Sequence, residues 1–394
     1  MPEKMKIMHI ITRLILGGAQ ENTLLTVEGL QRRSGCDVCL VTGPALGPEG
    51  ELLSRALRNG VNVRIIDSMR RAINPWRDLA TYRAIRRMIK EYGPLVVHTH
   101  SSKAGILGRF AAKKCGVPAI VHTIHGLPFH PYETALKNRL YIRLERKAAR
   151  ASDAIITVAD AMTRQALAAG VGEPPRFQTI YSGLEINKYK PLSAEERDKF
   201  RGELGIPRDA AVICKVARLF HLKGHEFLLS AMKRVIEAVP SAYLLLVGDG
   251  ILKGQLEKIT KSIGISDRVI FAGLVPPDDI RKHVGLSDVV AHCSLREGLA
   301  RVLPQSLLCG VPVVSYDIDG AREAVIDGET GFLVPPESVD ELANAIIRFL
   351  TDRALAARMA EAGRRRCLEM FDSEKMVNQI AAVYERILRM KGIA

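Results

Sequence analysis

SLREGLARVLPQSLLCGVPVVSYDIDGAREAVIDGETGFLVPP, residues 294–336, is the stretch that decides the fold. It opens with a loop that holds Glu297 and Gly298, and it continues into an apolar run over residues 303–308. Gly310 ends that run, and a β-branched segment follows at 311–315. A loop, a helix, a stop and a buried strand in this order form one α/β unit.

The same stretch predicts a ligand site. Glu297, Gly298 and Gln305 lie in the loop and first helical turn, at the carboxyl edge of the predicted sheet. Open α/β sheets bind ligands at that edge, and a helix N-terminus there offers free N–H groups to an anion. We therefore expect a polar, phosphate-bearing ligand that is held by a carboxylate, an amide and backbone donors.

These residues resemble the donor-site signature of the retaining family 4 glycosyltransferases, whose fold is of the two-domain GT-B type. In that family a Glu and a Gly are followed by a second Glu, eight positions after the first, and then by a small-Gly-x-Pro-Val-Val strand. The chain matches this pattern at Glu297, Gly298, Gly310 and residues 312–314. It departs from the pattern at Gln305, which can still form hydrogen bonds but carries no charge.

The resemblance implies an α/β protein of GT-B architecture, with two doubly wound Rossmann-like domains that face a central cleft. It implies that Glu297 contacts the donor sugar and that position 305 contacts the ribose hydroxyls of the nucleotide. Gly298, Leu299 and Ala300 would complete the donor loop. The plainer alternative is that Glu297 is only a carboxylate at the start of a helix.

A glycine pair follows the first predicted strand, where Gly17 and Gly18 precede a helix. Two glycines let the backbone approach a ligand, although many strand-to-helix turns need a glycine for steric reasons alone. The segment is similar to the family's Gly-Gly-Ala-(Gln/Glu) loop. That likeness implies donor contact for Gly18 and acceptor contact for Gly17 and Gln20. No G-x-G-x-x-G follows the strand, which argues against a dinucleotide oxidoreductase.

Two cations, Arg218 and Lys223, follow another predicted strand and precede an apolar helix. Cations beside a helix start suit a diphosphate, while a solvated basic loop is the plainer interpretation. The family has an Arg and a Lys-Gly at these places, which implies that both side chains neutralise the leaving pyrophosphate. Gly248 and Gly250 resemble the family's Val-Gly-(Asp/Glu)-Gly turn beside the nucleotide, and Gly273 resembles the Phe-x-Gly turn that holds the base.

Four histidines stand at predicted strand ends, namely His98, His100, His122 and His125. They belong to two separate strands and no carboxylate lies nearby in sequence, so we expect no metal site and core or capping roles for most of them. His125 matches the histidine of the family's loop His-Gly, which implies contact with the donor sugar near the reacting carbon. Ser101, Ser102 and Lys103 match the family's loop that helps to form the acceptor cleft.

The chain alternates strand and helix in two series. The strands of the first series are predicted at 7–12, 37–42, 62–66, 95–99, 119–123, 154–158 and 177–180. Its helices are predicted at 19–32, 49–59, 77–91, 104–115, 134–151 and 159–169. The strands of the second series are predicted at 212–217, 243–247, 269–272, 289–292 and 311–315, and terminal helices are predicted at 339–350, 354–370 and 373–390.

These series predict two domains. They span residues 1–187 and residues 188–372. The resemblance implies that the first domain binds the acceptor and that the second binds the nucleotide-sugar donor. Residues 183–208 contain prolines and several charges, which favour a linker. The resemblance implies that the last helix, about 373–394, packs back on the first domain.

Charge is concentrated in the first half. Residues 1–187 hold 27 Lys and Arg against 15 Asp and Glu, so +12 of the net charge of +14 lies there. Such a balance favours an anionic surface or substrate. The seven cysteines are scattered without a disulfide framework, which fits a reducing compartment. Cys36 and Cys39 form a C-x-x-C on a predicted strand, so their side chains should point to opposite faces.

Two basic segments, 69–93 and 136–150, also carry aromatic and aliphatic residues. They suit either peripheral contact with an anionic membrane or ordinary amphipathic helices on a sheet. The N-terminus reads as a first strand rather than a signal peptide, and no apolar stretch is long enough to span a bilayer. We therefore expect a cytoplasmic protein, with contact at the inner face of the cytoplasmic membrane as one option.

The resemblance predicts a metal-independent retaining hexosyl- or N-acetylhexosaminyl-transferase without a cofactor. It would move a sugar from a nucleotide diphosphate sugar, UDP-sugar before GDP-mannose, to a glycan or lipid-linked acceptor in cell-envelope polysaccharide biosynthesis. The alternatives are a nucleotide-sugar epimerase on the same fold and a non-catalytic nucleotide-sugar binding protein. A nucleic-acid binder is disfavoured because the chain carries no recognised nucleic-acid motif.

Overall fold

The computed structural model describes residues 4–46 and 50–393. The chain divides into two compact units, one built from the chain up to Gly183 and from Ser373 onward, the other from Leu184–Asp372. The division lies after Gly183 rather than after residue 187. The Leu184 N–H donates to the carbonyl of Phe371 at 2.7 Å, and Leu184 bridges Asp372, so this short segment is tied to the second unit.

The first unit is built around seven parallel strands. Their bounds are β1 Met5–Arg13, β2 Cys36–Gly43, β3 Asn62–Ile65, β4 Val96–His100, β5 Ala119–Ile124, β6 Ala154–Thr157 and β7 Phe177–Thr179, in the order β3-β2-β1-β4-β5-β6-β7. The helices between them are α1 Gly18–Gln31, α2 Leu53–Arg58, α3 Pro75–Tyr92, α4 Ser102–Lys114, α5 Ala135–Ala149 and α6 Asp160–Ala168. All seven predicted strands are present, and the predicted helix start at Glu49 lies outside the described residues.

The second unit holds a six-stranded parallel sheet. Its strands are β8 Ala211–Val216, β9 Ala242–Val247, β10 Val269–Gly273, β11 Val289–His292, β12 Val313–Tyr316 and β13 Phe332–Val334, in the order β10-β9-β8-β11-β12-β13. Its helices are α7 Ala194–Glu203, α8 His225–Ala238, α9 Lys253–Ser262, α10 Ile280–Gly285, α11 Val302–Leu308, α12 Ala321–Ala324, α13 Val339–Thr351 and α14 Arg353–Met370. Val302–Leu308 followed by Val313–Tyr316 is the helix and strand expected from residues 294–336.

The final helix, α15 Ser373–Met390, packs on the first unit. Its buried residues Ile380 and Tyr384 share one apolar core with Leu24 of α1 and Ile7 of β1. The other face of that sheet is covered by α3 and α4. Each face is therefore closed by helices, as expected for a parallel sheet whose strands are apolar on both sides.

Two of the sequence predictions need correction. Residues 183–208 are not only a linker, because they contain α7, whose first turn is fixed by a capping box between Ser193 and Glu196. A sixth strand, β13, was also missed: its three residues are too short to show a period. Cys36 and Cys39, by contrast, do lie on opposite faces of their sheet, in different apolar cores.

Within residues 4–46 and 50–393, no helix combines the length and the apolarity that a membrane crossing requires.

Candidate functional site

The predicted donor residues of the second unit converge at the topological switch point of its sheet, whereas Gly18 lies in the first unit, at the start of α1. β8 and β11 are neighbours there, although they are separated in sequence by two strands that lie on the other side of β8. The loops after β8 and β11 carry Arg218, Lys223 and Glu297. Ligands of open α/β sheets bind at the carboxyl ends of strands at such a point.

Lys223 and Glu297 form an ion pair between their Nζ and Oε1 atoms. Both side chains are mostly buried, at 18 % and 26 % exposure. Burial opposes ionisation of the Glu297 carboxyl, but the charge of Lys223, with help from His292, holds its pKa well below the ordinary value. The carboxylate is therefore ionised at neutral pH, and an ammonium already faces it.

Asp319 fixes the backbone of the glutamate loop. The Glu297 N–H donates to Asp319 Oδ2 at 2.7 Å, and the Gly320 N–H donates to the carbonyl of Gly298 at 3.1 Å. Leu299 and Ala300, the other predicted donor-loop residues, are buried behind them. The sequence interpretation missed Asp319, because DIDG reads as an ordinary turn.

His292 is a second residue that the sequence interpretation missed. It is buried at the end of β11, where its Nδ1 lies 3.1 Å from Ser315 Oγ and its Nε2 lies 3.8 Å from Glu297 Oε1. Nε2 has no hydrogen-bond partner among the described residues. Burial lowers the pKa of His292 although the nearby Glu297 opposes that shift. The signal was available, since a histidine ends an otherwise apolar strand five residues before Glu297.

The loop after β8 adopts unusual backbone geometry. Leu222 in this loop has a φ of 63°, and Asp319 in the loop after β12 has a φ of 43°, values that residues other than glycine rarely adopt. Gly224 has a φ of 65°, and a Cβ added to it would lie 1.9 Å from the carbonyl oxygen of Cys293. Strained positions that persist are concentrated at functional sites, and these flank Lys223 and Glu297.

Arg218 and the predicted glycine turns lie at the same edge. The Arg218 guanidinium is centred 5.1 Å above the Phe220 ring. The Gly248 N–H donates to the carbonyl of Gly273 at 2.8 Å, and a Cβ on Gly248 would lie 2.1 Å from the carbonyl oxygen of Ala217. The turns after β9 and β10 therefore meet beside the loop after β8. Gly250 follows, with a Cβ position that would lie 2.4 Å from the carbonyl oxygen of Leu219.

Gln305 has a partner that the sequence did not suggest. Its Nε2 donates to the Tyr189 hydroxyl at 2.7 Å, and the Gln305 side chain is buried. Tyr189 lies in the segment interpreted as a linker, so no local pattern pointed to it. The amide nitrogen is therefore engaged within the second unit, and the amide oxygen is the group that can accept a hydrogen bond.

The predicted acceptor residues meet at the switch point of the first sheet, between β1 and β4. Ser101 Oγ lies 2.7 Å from Thr12 Oγ1, which also accepts from the Ala104 N–H at 3.2 Å. Ser101 has a φ of 59°, another rare value for a residue other than glycine. Ser102 begins α4 immediately after it.

Gly17 and Lys103 have defined contacts near this edge. The Gly17 carbonyl accepts from the Glu21 N–H at 2.9 Å, and Gly18 begins α1. A Cβ on Gly17 would lie 2.8 Å from Gln20 Oε1, so the glutamine side chain lies over the glycine. Lys103 Nζ donates to Asp78 Oδ1 at 2.8 Å and to the carbonyl of Ala72, and these contacts tie its charge to α3.

His125 follows β5 and is joined to histidines of two other strands. Its Nε2 lies 3.0 Å from His100 Nδ1, and His100 Nε2 lies 3.0 Å from His9 Nδ1. Ring nitrogens of His9, His98 and His100 lie within 4.8 Å of one another. The histidines treated as separate in the sequence are thus brought together by the parallel neighbours β1, β4 and β5, and His9 was missed.

Comparisons with known proteins agree with this architecture. A model described as glycosyl transferase 4-like domain matches residues 17–183, and one described as glycosyl transferases group 1 matches residues 196–366. The first match contains His125, and the second contains Lys223 and Glu297. The two matches together cover most of the chain.

Some relatives match over nearly the whole length and others over about half of it. The Escherichia coli protein named UDP-Gal:alpha-D-GlcNAc-diphosphoundecaprenol alpha-1,3-galactosyltransferase is 28 % identical over 384 residues, which is 97 % of each chain. A GDP-mannose-dependent alpha-(1-6)-phosphatidylinositol monomannoside mannosyltransferase of Mycobacterium tuberculosis H37Rv is 31 % identical over 217 residues, 53 % of this chain and 56 % of its own. The crystal structure of Anabaena HepE in complex with UDP and glucose has a TM-score of 0.83 at 25 % identity, over 97 % of this chain and 99 % of HepE. The expected GT-B fold class is confirmed.

Proposed function

The chain belongs to the group 1 family of glycosyl transferases, and on that premise we propose that it transfers a sugar from a UDP-sugar to a hydroxyl of a lipid-linked acceptor, with retention of configuration. It is a glycosyltransferase that uses a nucleotide sugar. The observation that carries the proposal is the Lys223–Glu297 pair at the switch point of the second sheet, which supplies both a cation for phosphate and a carboxylate for the sugar.

The choice of UDP over GDP is supported by the coverage of the relatives. The E. coli enzyme, named for UDP-Gal, and HepE, solved with UDP and glucose, each match 97 % of this chain. The mycobacterial relative named for GDP-mannose matches 53 %. A likeness that includes both units is the better guide to a substrate than one that includes about half of the chain.

Lys223 and Arg218 would stabilise the departing diphosphate in this mechanism. An ammonium has three N–H donors, so Lys223 can keep its contact with Glu297 and still donate to a phosphate oxygen. The guanidinium of Arg218 adds a planar set of donors suited to phosphate. Preorganised charge of this kind is often the largest contribution to catalysis.

The remaining groups would bind and orient the sugar. Glu297 accepts hydrogen bonds from sugar hydroxyls, and His125 contacts the sugar near the anomeric carbon. The acceptor oxygen forms its bond to the anomeric carbon on the face from which the diphosphate oxygen departs. The acceptor proton passes to that departing oxygen, so the step needs no further base.

The donor assignment is tested by thermal shift against UDP-, GDP-, ADP- and dTDP-sugars. We expect a UDP-sugar to raise the unfolding temperature, and we expect Glu297→Ala to remove that shift. Stabilisation by a GDP-sugar alone would mean that the donor nucleotide is GDP and not UDP. Stabilisation by none of the four would reject donor binding at this site.

A lipid-linked acceptor is supported by one face of the first unit, which we call the α3–α5 face, formed by α3, α4 and α5 side by side. Trp76 at 82 % exposure and Leu136 at 78 % exposure are its most exposed apolar residues. The same two helices, α3 and α5, also carry exposed basic residues, namely Arg77, Arg83, Lys90, Lys137, Arg139 and Arg143. Apolar side chains among cations fit an anionic bilayer surface, where such an acceptor resides.

Vesicle sedimentation tests this face. At low salt, we expect the protein to pellet with vesicles that contain anionic lipid and to stay in solution with neutral ones. Exchange of both Trp76 and Leu136 for Ser should weaken binding by about tenfold or more, because each buried apolar side chain is worth roughly 1.5–3 kcal/mol. Leu57→Ser is the matched control, since Leu57 is exposed on α2 at the other face of the sheet. Equal loss in the control would contradict a specific face.

A further inference from the structure

A chain of hydrogen-bonded groups leads from His125 into the core of the first unit. It passes from His125 to His100 and from there to His9, with 3.0 Å between the nitrogens at each step. His9 Nε2 lies 3.5 Å from the hydroxyl of Tyr384, on α15. That hydroxyl lies 2.5 Å from His98 Nδ1, and His98 Nε2 lies 2.7 Å from Thr123 Oγ1. We call these six residues the histidine chain.

The inner part of the histidine chain is shielded from water, and its three buried rings are uncharged. His9, His98, His100 and Tyr384 are at most 1 % exposed. Burial lowers the pKa of His9 to about 3, and it lowers the pKa values of His98 and His100 well below the ordinary value. Neutral imidazole has one N–H donor and one acceptor nitrogen, so each of these three buried rings can donate in one direction only.

This restriction gives the whole chain a single direction. If one ring reversed its tautomer, two N–H groups or two lone pairs would face each other at a neighbouring step, and a buried polar pair would be left unsatisfied. The Tyr384–His98 separation of 2.5 Å is shorter than N–H donors normally allow but lies within the range of O–H donors. Tyr384 therefore donates to His98, and it accepts from His9 Nε2.

We propose that the histidine chain holds His125 in the Nε2–H tautomer, with His100, His9 and Tyr384 as positioning residues for it. With Tyr384 as an acceptor for His9, His9 Nδ1 accepts from His100 Nε2–H, and His100 Nδ1 accepts from His125 Nε2–H. His125 Nδ1 is then a hydrogen-bond acceptor and not a donor. This inference rests on the proposed function, in which His125 contacts the donor sugar. It deepens that function by making His125 an acceptor for a sugar hydroxyl.

The cluster of His9, His98 and His100 could instead be considered as a metal site. Each of the six ring nitrogens of these residues already lies near a protein partner at 2.5–3.5 Å. Zinc binding would need those lone pairs and would break the chain. The contacts therefore favour the hydrogen-bonded chain, and metal content becomes an outcome of the test.

The test measures the tautomer of His125 directly in the full-length protein labelled with ¹⁵N-histidine. Nitrogen chemical shifts separate a protonated from an unprotonated ring nitrogen, and His125→Gln identifies the resonance. We expect His125 to be Nε2–H in the wild type and a mixture of tautomers in Tyr384→Phe, which removes only the hydroxyl. Sugar transfer by Tyr384→Phe should fall by about 3–10-fold, the loss that corresponds to one neutral hydrogen bond.

Tyr92→Phe is the matched control. The Tyr92 hydroxyl is also buried in the first unit, but it donates to the carbonyl of Asp37 at 2.9 Å, outside the chain. Its loss should leave the His125 resonance unchanged. Thr123→Val, which removes the acceptor at the far end of the chain, is a second isosteric variant if Tyr384→Phe does not fold.

Several outcomes would overturn the inference. These are an Nδ1–H or mixed tautomer in the wild type, a His125 resonance unaffected by both variants, and stoichiometric zinc in the purified protein by elemental analysis. The tautomer measurement does not depend on turnover. Absence of UDP-sugar transfer by the wild type would therefore reject the proposed function but not the tautomer assignment. A different tautomer in an active enzyme would reject only the inferred role of the histidine chain.

Discussion

At the scale of single residues, the Lys223–Glu297 pair determines which groups of a bound donor can be accommodated. The two charges offset each other in a site that is largely removed from water, so neither is left as an uncompensated buried charge. A diphosphate brings negative charge to Lys223 while the sugar brings hydroxyl donors to Glu297. The pair can thus be shared with the substrate rather than broken by it.

Lys223→Ala should reduce turnover by about 10²–10³-fold, the loss typical of removing one preorganised donor from a developing anion. Lys233→Ala is the matched control, because Lys233 is exposed on α8 and its removal makes the same change in net charge. Steady-state transfer from a UDP-sugar is the measurement, with circular dichroism to confirm the fold. Turnover near that of the wild type would remove Lys223 from the mechanism.

Gln305→Glu should tighten UDP binding by up to about tenfold, because a carboxylate at this position can accept charge-assisted hydrogen bonds from the ribose hydroxyls. Gln305→Met, which cannot form such bonds, should weaken binding. Isothermal titration calorimetry with UDP compares both with the wild type. Binding by Gln305→Glu that is no tighter than the wild type would show that position 305 does not reach the ribose.

Residue patterns predicted some members of the site and not others. Lys223, Glu297 and His125 each lie in a short motif that can be recognised from neighbouring residues alone, so the sequence was enough to select them as candidates. Asp319 and Tyr189 could not be selected in this way, because each acts through a contact between segments that are far apart in sequence. His292 was overlooked, although its place at the end of an apolar strand marked it. His9 lies inside a strand that reads as apolar core, and its partners come from β4 and α15.

At the scale of elements, the loop after β8 depends on Gly224. Its positive φ and the close approach of Cys293 leave no room for a side chain. This loop carries Lys223, and it is held against the end of β11. Backbone geometry here therefore links the packing of two strands to the position of a functional group.

Gly224→Ala should destabilise the protein by about 2 kcal/mol or more, since both the conformation and the contact oppose a Cβ. Gly254→Ala provides the contrast. Gly254 lies in α9 with open space around its Cβ position, and the substitution should stabilise by about 0.5–1 kcal/mol. Urea unfolding of both variants measures the difference. Similar free energies of unfolding for the two would contradict the assigned role of Gly224.

Helices and strands with a clear pattern of apolar residues could be predicted from the sequence, and short or irregular elements could not. The five inner strands of the first sheet appear in the sequence as apolar runs, because both of their faces are buried, whereas the edge strands β3 and β7 are only partly buried. β13 has three residues, too few for a period, and its place beside β12 depends on pairing with that strand. α7 was overlooked although the Ser193-x-x-Glu196 capping box marks its start.

At the scale of the whole molecule, the buried histidines make stability depend on pH. In the unfolded chain His9, His98 and His100 would titrate near pH 6.5, whereas in the folded protein burial keeps their pKa values well below that, near 3 for His9. Below pH 6.5 the unfolded state therefore binds protons that the folded state does not. The contribution of these neutral, buried histidines to the free energy of unfolding is therefore complete above pH 6.5 and is lost as the pH falls toward 3.

We expect the free energy of unfolding to fall between pH 7.5 and pH 5.5. The loss approaches about 1.4 kcal/mol per pH unit for each such histidine once the pH is below 6.5. Urea titrations followed by circular dichroism at the two pH values measure it. A midpoint that is the same at both would mean that these imidazoles gain their protons in the folded protein, contrary to their burial.

The return of α15 to the first unit sets an order for the synthesis of the protein. The first seven strands leave the ribosome early, but the sheet face that α15 covers stays open until residues 373–390 have been translated. The second unit, Leu184–Asp372, is continuous in sequence and can close its core as soon as it emerges. We therefore expect the half that is translated second to fold first. Until α15 has been translated, the nascent first unit would expose the apolar face that this helix covers, and a chaperone could bind there.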